Sequence, residues 1–269
     1  MSAIEPFELF AIRYGTNSGR LECQNVLGGA PDKMGSDLSY YVWVARRSDA
    51  VFVIDTGMDE ATADARKRTL LRRPADALAL LGVDAKAIDH VIITHLHFDH
   101  AGTLGDFPRA RFHVQDGEVS FATGRCMCHE PLRHAYDVEH VVSFVRCVYA
   151  GRVAFHEGAE EIVPGLTVHR TGGHAKGLQV VRVLTKRGHV VVASDASHLY
   201  QNMEGRLAFP VVHSIEDLME GYETLYRLAS SPDHVIPGHD PLVMSLYPPP
   251  APELEGIVAR LDVPPRPRG

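Results

Sequence analysis

Residues 91–102 read Val-Ile-Ile-Thr-His-Leu-His-Phe-Asp-His-Ala-Gly. The opening run is β-branched, of the kind that forms a short buried strand from His90 to Thr94. It delivers the chain into four groups able to bind a metal within six residues: His95, His97, Asp99 and His100. Neutral imidazole and carboxylate are ligands that zinc, iron, manganese or cobalt accept. Gly102 follows and permits a tight backbone path. Side chains at a strand end can converge on a metal without rebuilding a core.

Three further segments repeat this arrangement. Thr171-Gly172-Gly173-His174 follows the apolar run Leu166–Arg170, and Ser194-Asp195 follows Val190–Ala193. Pro237-Gly238-His239-Asp240 follows His234–Ile236. Each sets one ligand-capable residue just past a strand. A strand ending in Asp or Gly-His is common alone, but four such ends in order point to one shared centre.

The rest of the pattern is mixed. Strands are expected at Phe7–Arg13, Tyr40–Ala45, Ala50–Ile54, Ala110–Val114, Leu178–Leu184 and Gly188–Ala193. The Glu60–Leu81 stretch predicts two helices broken near Pro74, with Gly82 as the C-cap. Gly117–Ala150 reads as mostly helical, Ile215–Ala229 as an amphipathic helix, and the proline-rich tail from Tyr247 as extended or loose. No repeat or linker divides the chain, so the expectation is one α/β domain over residues 1–269, with a sheet buried between helices.

Composition narrows the function. With 45% apolar and 23% charged residues the chain can bury a core. A net charge of −7 gives no general attraction to nucleic acid. No apolar stretch is long enough to span a bilayer, and the opening residues lack the basic-then-apolar pattern of an export signal. Four irregularly spaced cysteines make no disulfide framework, so a reducing cytoplasm is the expected setting. Cys126-x-Cys128-His129 is poorly spaced for zinc. Arg46-Arg47 and Arg66-Lys67-Arg68 read as solvated faces.

Thr94–His100 matches without a gap the Thr-His-x-His-x-Asp-His signature of the metallo-β-lactamase superfamily, which the chain resembles from about Asp55-Thr56-Gly57 to His239. The resemblance implies an αββα sandwich with two divalent metal ions, zinc in the first instance and iron, manganese or cobalt as alternatives, at one edge. His95, His97 and His174 would hold one ion; Asp99, His100 and His239 the other. Asp195 would bridge both, and Asp55 would support the ligand loop. Two ions roughly 3.5–4 Å apart share a water and make it nucleophilic at neutral pH, and Asp99 is the family's proton carrier.

Within the superfamily the sequence is most similar to N-acyl-homoserine lactonases, which open a small lactone ring and have no nucleic-acid or membrane partner. His-Leu-His-Phe-Asp-His-Ala-Gly at 95–102 is typical of that group, and the helical insertion at about 117–150 lies where those enzymes cover the substrate. Phe98 would then line the pocket, although it reads equally as core packing. Two departures stand out. The tyrosine those lactonases carry three residues after the bridging Asp is His198 here, leaving His198 or Tyr200 to donate to the oxyanion. Thr-Gly-Gly-His replaces the usual Thr-Pro-Gly-His, a change expected to loosen a loop rather than alter chemistry. Another cyclic ester, a cyclic amide or a thioester of the glyoxalase II type is the alternative substrate. Glyoxalase II, however, has Gly-His-Glu near its last ligand, where this chain has His239-Asp240. Apolar faces such as Val138–Val148 fit a lid over the site or a homodimer contact.

Overall fold

The computed structural model describes residues 4–267. Alternation of apolar side chains along the strands builds two sheets. In Leu38–Arg47, Tyr41, Trp43 and Ala45 enter one core while Tyr40, Val42 and Val44 enter another, as a period of two requires. This strand is β2, between β1 (Glu8–Asn17) and β3 (Ala50–Ile54). The first sheet continues through β5 (His90–Ile92), β6 (Arg111–Gln115) and β7 (Val153–His156), which pair in parallel. A two-residue β4 (Thr69–Leu70) also pairs with β1.

The second sheet runs β12-β11-β10-β9-β8, comprising Val235–Pro237, Gly188–Ser194, Gln179–Thr185, Leu166–Arg170 and Ala159–Val163. Phe52, Ile54, Trp43 and Ile92 of the first sheet share a core with Val181, Val183, Val190 and Val192 of the second. The outer face of the first sheet is covered by α1 (Glu60–Ala65), α2 (Pro74–Ala79), α3 (Asp116–Ala122), α4 (Glu130–Arg133) and α5 (Val138–Tyr149), which contribute Ala63, Ala77, Phe121, Leu132 and Phe144. Against the second sheet lie α6 (Tyr200–Gly205), α7 (Ile215–Leu228) and α8 (Leu242–Leu246). The layers are therefore αββα. Among the described residues no helix is long and apolar enough to cross a membrane.

The two helices expected over Glu60–Leu81 are α1 and α2, and Pro74 opens α2, where its missing N–H costs nothing. Two expectations need correction. β7 and β8 were not anticipated: both are half-exposed edge strands, and β8 carries Glu160 and Glu161. The tail is not loose: β13 (Val258–Arg260) pairs antiparallel with β1, setting Ala259 opposite Ala11, and Tyr247 and Leu261 are buried.

Candidate metal centre

The seven residues named from the sequence as ligands of the two ions meet at one edge of the two sheets. His95, His97, Asp99 and His100 follow β5, His174 follows β9, Asp195 follows β11 and His239 follows β12. Every one is buried. Gly238 permits this closeness, since a Cβ there would lie 2.6 Å from the Ser194 carbonyl and 2.8 Å from Asp195 Oδ1.

Surrounding acceptors fix the imidazole tautomers. The His174 Nδ1–H donates to the Val211 carbonyl at 2.7 Å and His239 Nδ1–H to the Ser39 carbonyl at 2.9 Å. His100 Nδ1–H donates to Asp55 Oδ2 at 2.7 Å. The Thr94 hydroxyl donates to Asp55 at 2.8 Å, so it accepts from His95 Nδ1–H at 3.1 Å. The remaining Nε2 lone pairs all point inward. His97 Nδ1 then lies 3.0 Å from His95 Nε2 and 2.8 Å from His174 Nε2. Three ring nitrogens this close, with at most one proton among them, are mutually repulsive unless a cation lies between them.

A second set adjoins the first. His100 Nε2 is 3.6 Å and His239 Nε2 3.7 Å from Asp99 Oδ2. Asp195 spans both groups: its Oδ2 is 3.2 Å from His174 Nε2, and its Oδ1 is 3.2 Å from His100 Nε2 and 2.9 Å from His239 Nε2. His100 Nε2 and Asp195 Oδ1 are buried and make no hydrogen bond. The donor set fits two divalent cations, one on each side of Asp195.

Electrostatics divide the two sets. Burial pushes the His95 and His97 imidazoles well below their ordinary value and His174 to about 3, favouring the neutral form a metal needs. Burial opposes charge on His100 too, but Asp195, Asp99 and Asp55 outweigh it and raise that imidazole. Asp55 has φ +60 and accepts from Thr94 N at 2.7 Å as well as from Thr94 Oγ1 and His100.

The rim differs from expectation. His198 Nε2 lies 2.9 Å from Asp195 Oδ2, and its ring stacks on Phe209 at 3.8 Å; it contacts the carboxylate while bordering the cavity. Tyr200 is not brought to the site: its side chain packs in the core and lines a separate cavity with Tyr247 and Asp233. Phe98 does both things the sequence allowed, joining a core cluster and lining the cavity beside the ligands. Gly172 has φ +68, which proline, locked near −65°, cannot adopt. Thr-Gly-Gly-His is thus a different turn from Thr-Pro-Gly-His rather than a looser one.

Sequence reasoning missed Glu118. This fully buried carboxylate on α3 accepts from Leu96 N at 2.9 Å, Tyr136 Oη at 3.0 Å and Gly177 N at 2.9 Å. It ties the insertion to the loops carrying His97 and His174. No metal-ligand spacing marks it; a lone Glu in a helical pattern reads as solvated. Tyr136, also from the insertion, sets its ring edge-on to His97 at 4.5 Å.

Fold, strand-end ligands and bridging carboxylate together define a metal-site sandwich, and residues 35–239 match the metallo-β-lactamase superfamily. The chain belongs to that superfamily. It is 26% identical over 190 residues to an N-acyl homoserine lactonase of a Bacillus species, covering 64% of this chain and 70% of the relative. A crystal structure of a quorum-quenching N-acyl homoserine lactone lactonase superposes with TM-score 0.74 at 23% identity, over 88% of this chain and 93% of that one. A dizinc quorum-quenching lactonase in complex with a product superposes with TM-score 0.66 at 15% identity, over 88% of this chain and 89% of that one.

Proposed function

We propose that the chain is a dinuclear metal hydrolase that opens the ring of a small lactone, with zinc as the resident metal. The observation that carries this is Asp195, which lies between the imidazoles: Oδ2 is 3.2 Å from His174 Nε2, Oδ1 is 3.2 Å from His100 Nε2, and His239 Nε2 is 2.9 Å from Oδ1 and 3.1 Å from Oδ2. The N-acyl homoserine lactonase relative and the dizinc neighbour support the reaction class and the metal count.

In this reading His95, His97 and His174 hold one ion, Asp99, His100 and His239 the other, and Asp195 both. Bound ions supply Lewis acidity and a nucleophilic water at neutral pH. The chain's own residues do the rest. Asp55, Ser39 and Val211 hold the imidazoles in the ligating tautomer. Phe98 and Tyr136 wall the site from solvent on the insertion side. Water oxygen bonds to the carbonyl carbon, the ring C–O bond breaks, and Asp99 carries the proton to the leaving alkoxide, giving a hydroxy acid. His198 is given the role its contact supports: it orients Asp195 at the edge of the cavity, where the oxyanion also forms.

The test is proton release in weak buffer by metal-replete protein over a panel of lactones, cyclic amides and thioesters. Ring opening of a lactone is expected, and Asp99→Asn should abolish it with both metals still bound. Silence on every lactone with two metals per chain overturns the reading.

A further inference from the structure

The mouth of the metal cavity carries three arginines. Arg20, Arg66 and Arg68 line it together with Tyr40, Phe98 and the ligands themselves. They come from the loop after β1 and from the end of α1, and each is half-buried. Lys67 takes φ +54 and is exposed, while its two neighbours are not. Arg68 is close enough to Arg20 and Arg66 to oppose the charge on both, while Asp37 favours that on Arg20 and Asp99 and Asp137 that on Arg66 from beyond ion-pair distance.

What anchors them is neutral. Arg20 Nε donates to Asn25 Oδ1 at 2.7 Å. Arg66 donates to the carbonyls of His134 at 2.8 Å and Tyr136 at 3.1 Å, with its guanidinium 4.0 Å over the Phe98 ring. Among the described residues the Arg68 guanidinium reaches Asn17 Oδ1, at 3.4 Å, and its Nε is buried without an acceptor. Among the described residues none of the three has a carboxylate within 4.0 Å, whereas Arg46, Arg47 and Arg109 on the outside are paired with Glu8, Asp49 and Asp89. Each guanidinium has five N–H groups, so donors remain unused. Three like charges gathered beside a cation site, with no carboxylate in ion-pair contact, make that mouth attractive to an anion. A neutral acyl chain gives them nothing to bind.

We propose that Arg20, Arg66 and Arg68 form a subsite for an anionic group, a carboxylate or phosphate, at the end of the substrate remote from the bond cleaved. Guanidinium forks match both anions in geometry. The substrate is then a lactone, or related ester, that is itself an acid. This rests on the hydrolase reading above, but the test separates the two.

Binding to the metal-loaded protein is measured by calorimetry for succinate, glutarate and adipate against butyrate, valerate and hexanoate, with 3-phosphonopropionate as the phosphate-type arm. One carboxylate of each compound can occupy the metal centre; only the diacids have a second anion for the arginines. At least one diacid, or the phosphonate, should bind tenfold or more tightly than its monoacid, and the gap should shrink with salt. The better of the carboxylate and phosphonate arms identifies the anion. R20Q/R68Q, checked for two bound metals, should bring the diacid down to the monoacid, and R20K/R68K should keep part of the gap. No gap at any length, or a gap indifferent to R20Q/R68Q, overturns the proposal. Turnover of neutral lactones without a gap removes the subsite and leaves the hydrolase standing; a gap without lactone turnover supports the subsite and removes the lactonase.

Discussion

Replacing Asp55 by Asn tests how the fold sets the centre, because it changes one atom and leaves the backbone alone. Asn tolerates the φ of +60 as well as Asp does. Its carbonyl can still accept from Thr94 N, now 2.7 Å away. The amide nitrogen, however, replaces Oδ2, which accepts both from Thr94 Oγ1 at 2.8 Å and from His100 Nδ1 at 2.7 Å. The hydroxyl can turn and accept; the imidazole cannot, because two N–H donors then face each other. His100 relieves this by moving its proton to Nε2, the atom aimed at Asp195 and Asp99, and an Nε2–H cannot ligate. Loss of such an outer partner costs 10–100-fold in metal affinity, about 1.4–2.7 kcal/mol. Burial already works against the Asp55 charge, so the apo fold should lose less than the metal site does. The assay is metal counting by mass spectrometry after dialysis against graded chelator, with calorimetric unfolding of the apo protein alongside. D55N should retain one tight metal and release the other early. Two metals titrating as in the wild type would show that Asp55 does not set the tautomer.

Other positions give separate checks. Glu118→Gln puts an amide NH2 against Leu96 N–H or Gly177 N–H; an unsatisfied buried donor costs about 1–3 kcal/mol, read as a lower urea midpoint. His198→Ala should lower kcat by about 10–100-fold as Asp195 loses its partner, with His198→Gln recovering most of it; no rescue by Gln means the imidazole itself is required. His113 is pushed down to about 3 by burial and by His156 and His90. The unfolded chain binds that proton from about pH 6.5 downward and the folded chain does not, so this group removes about 1.4 kcal/mol of stability per unit of acidification. His113→Gln should flatten the fall in urea midpoint between pH 6.5 and 5, and an unchanged slope counts against it.

The sheets and ligands were legible because both are periodic or clustered. Alternation marks β2 and β11, and the His/Asp residues sit at strand ends where the motif can be read without knowing the fold. β7, β8 and β13 were not legible, since edge strands need only one partner and half their surface is wet, so Glu160, Glu161 and Arg260 dilute the apolar pattern. Tyr200 was misplaced for a related reason. Proximity to Asp195 in sequence says nothing of direction, and Tyr200 opens α6, which turns its ring toward Tyr247.

The rim was illegible in a different way, and this bears on the substrate. Arg66-Lys67-Arg68 has the composition of a solvated face, and nothing local shows that the chain turns left-handed at Lys67 with its neighbours at the cavity mouth. Arg20 lies more than forty residues earlier; the β1–β4 pairing, with Gly15 opposite Leu70 and Thr16 opposite Thr69, brings the two segments together. Thr94–His100 matches the superfamily signature without a gap, while the departure at His198 borders the cavity, where the rest of a substrate would rest. Identity in the centre with change at the mouth is what one reaction on a different acid or alcohol portion requires. Binding energy at that rim, remote from the bond cleaved, can raise kcat/KM for one substrate over another without altering the chemistry at the metals.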